Sequence, residues 1–262
     1  MPSFTAPDGA VLAFDDYGRG EPPVVLVHGW QGTAETWGPL AGRLAERHRV
    51  VAVDLRGAGG SAGAPGPYSV ERFAADVAGL AEHLGLERFV LAGHSMGGTV
   101  AQRLAVDHPG LLAALVLVAP VPASGLPLSP RVEAVFREVP LNPETARMWL
   151  GMLTATPLPA DRYAILVRAA ASVAPETALE AFDSWQRSAF EAEARSIDVP
   201  TLVLAGAKDR PQTPDFLQRT VVEVIAGARM TVVEDTGHFL HLERDVEVAA
   251  LIEAFLASLT PD

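Results

Sequence analysis

A chain of 262 residues, 49% hydrophobic and 20% charged, is long and apolar enough to bury the core of one large domain or two small ones. That balance excludes disordered, collagen-like and coiled-coil chains. With 32 Asp and Glu against 20 Lys and Arg, the net charge of -12 repels phosphate backbones and anionic lipid, which argues against nucleic acid as a partner. The lack of cysteine removes disulfides, thiolate nucleophiles and Cys-ligated metal.

No basic start followed by an apolar run occurs over residues 1–20, and no stretch of about 18 uncharged apolar residues follows anywhere. The expectation is therefore no secretory signal, no membrane span and a cytoplasmic location. Residues 4–6 and 11–14, joined by Pro7-Asp8-Gly9, read as a hairpin. Val24–Val27 is short and rich in β-branched residues, as suits a strand buried on both faces. Trp37, Leu40 and Leu44 then share a helical face that starts near Thr36 and Pro39. Val50–Val53 is the next strand. A helix follows from Val70, with Phe73, Val77, Leu80, Ala81 and Leu84 as its stripe and Gly85 as its stop. Residues 89–92 form a strand, 99–106 a helix ended by Pro109, and 115–118 another strand. Alternation of buried strand and helix predicts a parallel α/β sheet with helices on both faces.

The rhythm breaks between Val121 and Ser196. That segment is rich in Pro and Ala and has helical stretches at 131–138, 143–153 and 176–195. It reads as a helical lid (121–196) inserted into a core made of 1–120 and 197–262. The rhythm resumes with a strand at 201–204, a helix at about 215–225 and a strand at 230–233. A last helix carries Val248, Ile252, Phe255, Leu256 and Leu259 on one face.

Between the 89–92 strand and the helix from Thr99 lies Gly93-His94-Ser95-Met96-Gly97, followed by Gly98. Chance yields roughly 0.1 occurrences of G-x-S-x-G in a chain of this composition. Strand before and helix after give the motif its meaning, a sharp turn that holds a serine in a strained conformation. Side chains at Gly93 and Gly97 would collide with neighbouring strands. The turn exposes Oγ at the carboxyl edge of the sheet, next to the free N–H groups of a helix start.

Five blocks in order resemble the landmarks of the α/β-hydrolase family: His28-Gly29-Trp30, residues 54–61, residues 93–98, Gly206-Ala207-Lys208-Asp209 and Gly237-His238-Phe239. They run nearly the length of the chain. The resemblance implies an α/β fold, a mostly parallel central sheet of about eight strands flanked by helices, with the lid inserted. It implies a catalytic set of Ser95 as nucleophile, His238 as base and Asp209 as acid, in the chain order of that fold. Some relatives place the acid after the strand corresponding to 115–118, but the loop 119–125 has none here, and Asp235 is a less suitable substitute. Among the other histidines, His94 is expected to point away from Ser95, His28 to sit in a strand-end loop and His241 to start a helix. His48, His83 and His108 read as surface positions.

By the same resemblance, the oxyanion donors are the backbone N–H groups of Trp30 and Met96, with Gly29 allowing close approach. The substrate pocket is expected to draw on Trp30, Phe136, Trp149, Met152, Trp185 and Phe239. Met148 and Phe182 recur at the same helical spacing, and most of these lid residues are expected in lid core. Residues 54–61 lack the Lys-Ser/Thr pair and the G-x-G-x-x-G of nucleotide cradles, so they read as a structural loop. No metal-ligand spacing is present, and no cofactor is expected.

His-Gly-Trp and a Met after the nucleophile resemble small bacterial aryl-esterases and cofactor-free haloperoxidase or perhydrolase relatives. The implied activity is cleavage of a carboxylic ester or lactone of a small to medium hydrophobic substrate through a Ser95 acyl-enzyme, by a monomer or homodimer. The alternatives on the same triad are a carbon–carbon bond hydrolase and an acyl-homoserine-lactone hydrolase. Outside that class stand a ligand-binding receptor or scaffold with little turnover and a cofactor-free oxygenase. Haloalkane dehalogenases and most epoxide hydrolases are disfavoured, because their relatives carry Asp where Ser95 stands.

Overall fold

Uninterrupted aliphatic runs become the central strands of one eight-stranded sheet in a computed structural model that describes residues 1–259. β3 (Val24–Val27), β4 (Val50–Val53), β5 (Phe89–His94) and β7 (Thr201–Gly206) are buried at every residue, as strands covered on both faces must be. β6 (Leu112–Val118) is nearly so. The edges are β1 (Ser3–Thr5) with β2 (Val11–Tyr17) on one side and β8 (Arg229–Val233) on the other. The order is β1-β2-β4-β3-β5-β6-β7-β8. The β1–β2 and β2–β4 pairs are antiparallel and the remaining pairs parallel.

The two-residue period of each strand divides its side chains between two cores. Val24 and Leu26 join Trp37, Leu40 and Leu44, and also Val248 and Ile252, on one face. Val25 and Val27 join Phe73, Val77, Val100 and Leu104 on the other. The helices responsible are α1 (Gly38–Leu44) and α11 (Asp245–Ala257) on the first face, and α2 (Val70–His83) and α3 (Met96–Asp107) on the second. Ser69 caps α2, its hydroxyl accepting from the Arg72 N–H at 3.3 Å, and Gly85 ends it with φ of +65°.

Between β6 and β7 the chain folds α4 (Pro130–Glu138), α5 (Pro143–Met152), α6 (Ala160–Ala171), α7 (Pro175–Gln186) and α8 (Glu191–Ala194). Two features depart from the sequence reading. The Pro-bounded stretch before Ser172 is a full helix, α6, burying Leu166 and Ala169. The single helix expected over 176–195 is broken after Gln186. There the carbonyl of Gln186 accepts from Leu126 at 3.1 Å, and the Phe190 N–H donates to Ala123 at 3.1 Å. The chain leaves the helix where the turn-containing segment over 123–126 takes its backbone groups. The helix expected over 215–225 also stops early, as α9 (Pro214–Leu217), and continues as a π-turn over Gln218–Val222.

A buried ion pair ties α2 to the loop after β4. The Arg56 guanidinium grips Asp76 with two hydrogen bonds, of 2.6 and 2.7 Å, and both side chains are fully buried. Its remaining donors reach Pro65 O at 2.6 Å and Asp8 at 3.0 Å. The Ala10 N–H and then Arg56 hold the Asp8 carboxyl below the usual carboxylate range. Removing one member of such a pair leaves the other charge buried and uncompensated. Asp76→Ala is therefore expected to lose about 3–5 kcal/mol of stability in denaturant unfolding. Asp8→Ala, at a partly exposed site, is expected to lose about 1 kcal/mol or less. Equal losses would show that the buried pair is not the anchor.

Candidate active site

Ser95 lies between the end of β5 and the start of α3 with φ +53° and ψ -119°, a region that non-glycine residues rarely occupy. Three backbone hydrogen bonds fix it there. Its N–H donates to Val118 O at 3.1 Å, and its carbonyl accepts from Gly98 at 2.9 Å and Val121 at 3.0 Å. A Cβ on Gly97 would lie 2.3 Å from Val27 O, so β3 requires glycine there. A Cβ on Gly93 would lie 2.2 Å from Gly97 O, which makes the obstruction the start of α3 rather than the neighbouring strand expected from sequence.

Trp30 follows β3 in a loop that presses against the same turn. A Cβ on Gly29 would come within 2.8 Å of His94 Nδ1 and 3.1 Å of Ser95 Cβ. Neither the Trp30 nor the Met96 backbone N–H has a hydrogen-bond partner among the described residues. The loop is braced from behind. His28 Nδ1 donates to Gly29 O at 2.8 Å, and its Nε2 accepts from the Leu55 N–H at 3.0 Å. Burial keeps His28 neutral by lowering its pKa. Asp54 accepts from the Ala34 and Gly60 N–H groups, both at 2.7 Å, so residues 54–61 have the structural part expected of them.

Asp209 follows β7 and His238 follows β8. A Cβ on Gly206 would lie 2.1 Å from Gly237 O, so the two loops can close together only with glycine. His238 Nδ1 donates to Asp209 Oδ2 at 2.8 Å, and both side chains are buried. That bond leaves Nε2 as the acceptor nitrogen of the neutral ring. Asp235, by contrast, is exposed and paired with Lys208 at 2.7 Å. Ser95 and His238 line one cavity of about 60 Å³. Ser95 Oγ makes no hydrogen bond among the described residues, and such contacts commonly tighten only when substrate binds.

Two histidines lie elsewhere than the sequence suggested. His94 does not point away from the site. Its ring sits 4.8 Å from that of His238, its Nε2 donates to His238 O at 3.0 Å, and it lines the cavity. Burial holds it neutral, well below the usual histidine pKa. His48 is buried rather than superficial, donating to Pro22 O at 2.9 Å, with Nε2 3.2 Å from Glu253. His241, in the short helix α10 (Leu240–Glu243), is wedged between Trp37 and His94 at ring separations of 4.6 and 4.4 Å. Neither of its ring nitrogens has a hydrogen-bond partner among the described residues.

Of the aromatic residues expected at the pocket, Trp30, Phe136, Trp149, Trp185 and Phe239 line the cavity. Met152 does not. It is 52% exposed on the far side of α5, beyond the turn that points inward. Phe182 is buried behind the wall, stacked on Phe136 at 5.2 Å, and Met148 is exposed. The Trp30 indole donates to Ala178 O on α7 at 2.7 Å. Sequence reading missed Gln31, Leu150, Leu166 and Gln212, which also line the cavity. It also missed Glu243, whose carboxylate accepts from Gly237 at 2.9 Å and Ala155 at 2.8 Å. Burial raises the Glu243 pKa. No local pattern marks these positions, because their placement depends on how α5, α6 and the loops around them pack. Beyond Gln31, Leu150 and Ala170 lies a second, outer chamber of about 160 Å³. Among the described residues no group of three or more His, Asp or Glu is placed to hold a metal, and no helix is long and apolar enough to cross a membrane.

Residues 24–251 match the model of the alpha/beta hydrolase family. A non-heme haloperoxidase from Rhodococcus erythropolis is 29% identical over 258 residues, covering 91% of this chain and 93% of that protein. Among solved structures, an esterase from Exiguobacterium antarcticum superposes with a TM-score of 0.90 at 23% identity, covering 97% of this chain and 98% of its own. The enol-lactonase from Burkholderia xenovorans LB400 gives 0.85 at 26% identity, covering 98% and 100%.

Burial pushes the His241 pKa down to about 3. The unfolded chain, with an ordinary histidine near 6.5, takes up that proton first. Its contribution to stability is thus complete above about pH 6.5 and is lost as the pH falls toward 3, by up to about 1.4 kcal/mol per pH unit. His241→Phe is expected to flatten the fall in urea midpoint between about pH 6.5 and 4 by close to one proton. An unchanged slope would show that the ring is not held neutral.

Proposed function

The chain belongs to the alpha/beta hydrolase family, and on that footing we propose that it is a serine hydrolase cleaving an ester or lactone through a Ser95 acyl-enzyme. The observation that carries this reading is the 2.8 Å His238–Asp209 pair facing the cavity that Ser95 also lines. The relation to the enol-lactonase supports lactones among the substrates. The substrate is small to medium in size and hydrophobic, a reading supported by the aromatic and aliphatic lining of the cavity. In this reading residues 121–196 are a lid over a core of 1–120 and 197–262.

A serine hydroxyl needs a base to attack a carbonyl at neutral pH. His238 Nε2 takes the Oγ proton as Oγ attacks, and Asp209 holds the ring in that tautomer and stabilises the imidazolium. The tetrahedral oxyanion is received by the free N–H groups of Trp30 and Met96, each worth roughly 2.7–4 kcal/mol of barrier. The intermediate collapses with transfer of the His238 proton to the leaving alcohol. Water, deprotonated by the same nitrogen, then releases the acid. The strained turn keeps Oγ at the cavity floor throughout.

Wild-type protein is expected to show a burst with p-nitrophenyl acetate and butyrate, and a fluorophosphonate is expected to add its mass to Ser95. Ser95→Ala should lose roughly a thousandfold or more in kcat/KM, and Asp209→Asn a comparable factor. Activity of Ser95→Ala within tenfold of wild type would overturn the acyl-enzyme. The wall between the two chambers also has a consequence. Leu150→Ala should raise the octanoate-to-butyrate ratio of kcat/KM by roughly tenfold, because it opens the outer chamber to a longer chain. An unmoved ratio would place the chain elsewhere.

A further inference from the structure

The loop that carries His238 is packed against the residues between α5 and α6. The His238 N–H donates to Leu153 O at 2.7 Å. A Cβ on Gly237 would lie 2.4 Å from that same carbonyl oxygen and 2.9 Å from the Ala155 nitrogen, so the two backbones are in direct contact. Glu243 joins them a second time. One carboxylate oxygen, Oε1, accepts from the Gly237 N–H at 2.9 Å, and the other, Oε2, accepts from the Ala155 N–H at 2.8 Å. A further tie lies beside these. Arg162, near the start of α6, donates to Leu242 O and pairs with Asp245 at 2.7 Å. Leu153 belongs to both settings, since it also lines the cavity that Ser95 lines.

These partners dictate the residue type at 243. Two backbone N–H groups directed at one side chain need two acceptor oxygens, and an ionised carboxylate supplies both. Hydrogen bonds to a charged acceptor are also roughly twice as strong as neutral ones. Glutamine would keep one oxygen and turn its amide nitrogen toward the other N–H. Asp209 holds the His238 ring through Nδ1, while the backbone from which the ring hangs is held through Leu153 and Glu243. Resting on the hydrolase reading above, we infer that Glu243 is a positioning residue for the base. It clamps the His238 loop to residues 153–155, and Nε2 is aligned on the Ser95 hydroxyl only while that clamp is closed. Glu243 does not line the cavity, so it acts through His238. A misplacement of about 1 Å in a reacting group costs roughly a hundredfold in rate, so a clamp of this kind is worth its residue.

The test compares whole wild-type protein with Glu243→Gln on p-nitrophenyl butyrate, with active sites counted by fluorophosphonate labelling of Ser95 taken to completion. Counting sites removes unfolded molecules from the comparison. The variant is expected to lose roughly tenfold to a hundredfold in kcat per labelled site, with KM within about threefold of wild type. The downfield proton resonance of His238 Nδ1–H is expected to shift or broaden. An unchanged kcat per labelled site, a loss confined to KM or an unmoved resonance overturns the inference. A second measurement needs no variant to fold. In wild type the Ala155, Gly237 and His238 N–H groups are expected to exchange with deuterium at least about a hundredfold more slowly than in an open chain. Open-chain exchange at Ala155 or Gly237 overturns the clamp. Any of these results in a wild type that labels and turns over sinks the positioning role alone. No label and no turnover of any ester by wild type sinks the hydrolase reading, and this role with it.

Discussion

A positive φ at a serine is a conformation the chain would abandon if its surroundings allowed, at a cost on the order of 1–3 kcal/mol. At Ser95 the surroundings forbid it. β6 holds its N–H, α3 and the segment after β6 hold its carbonyl, and β3 backbone lies so close to Gly97 that no side chain fits there. Most of what is distinctive around the cavity follows from that one turn. It directs α3 so that the Met96 N–H is left without a partner among the described residues. It brings the Gly29 loop into contact, and it opens the crevice toward the loops of β7 and β8. Glycine recurs where segments meet around the site: backbone lies too close for a Cβ at Gly206 and Gly237, and the His94 and Ser95 side chains do at Gly29.

The layer beneath the site is rigid and neutral where it must be. His28, His94 and His241 are buried, and burial lowers the pKa of all three, so these neighbours place no positive charge beside His238. Asp54 and the Arg56–Asp76 pair fasten the loop behind Gly29 to β2, α2 and the segment before α1. Fixed dipoles are effective toward a developing charge only if they need not reorganise, and in the reading proposed above this bracing would supply that condition for the Trp30 N–H.

What the sequence made legible is what local sequence encodes. The aliphatic runs of β3 to β7, the stripe and stop of α2 and the glycines of the serine turn are each dictated within a dozen residues. The positions of Asp209 and His238 were legible because each follows a recognisable strand. The 2.8 Å contact between them joins positions 29 residues apart and belongs to the fold. The segment between β6 and β7 was less legible for the same reason. The break after Gln186 exists because Leu126 takes its carbonyl, and α6 begins after a proline run that reads as loop. Met152 shares the helical spacing of Trp149 but lies where α5 turns outward. His94 was misjudged because its neighbour in space is His238, 144 residues away.

The helices over the cavity are not a loose cover. The carbonyl of Leu153, at the end of α5, accepts the His238 N–H at 2.7 Å, and Glu243 clamps Ala155 and Gly237 from the other side. α5 and the loop that carries His238 are therefore joined, and lifting α5 would release the hydrogen bond that sets the His238 backbone. α7 is tied as firmly, through Trp30 to Ala178 and through Ser184 to the Val70 N–H at 2.9 Å. α6 is held by Arg168 to Glu35 and by Ser172 to the Gly59 N–H. α4, which carries Phe136, has hydrogen bonds only to other residues of the inserted segment among the described residues. On the α4 side Phe136 packs on Trp149 and Trp30 by ring contacts. Ring contacts can slide and re-form without leaving a buried polar group unpaired, and hydrogen bonds in such a setting cannot.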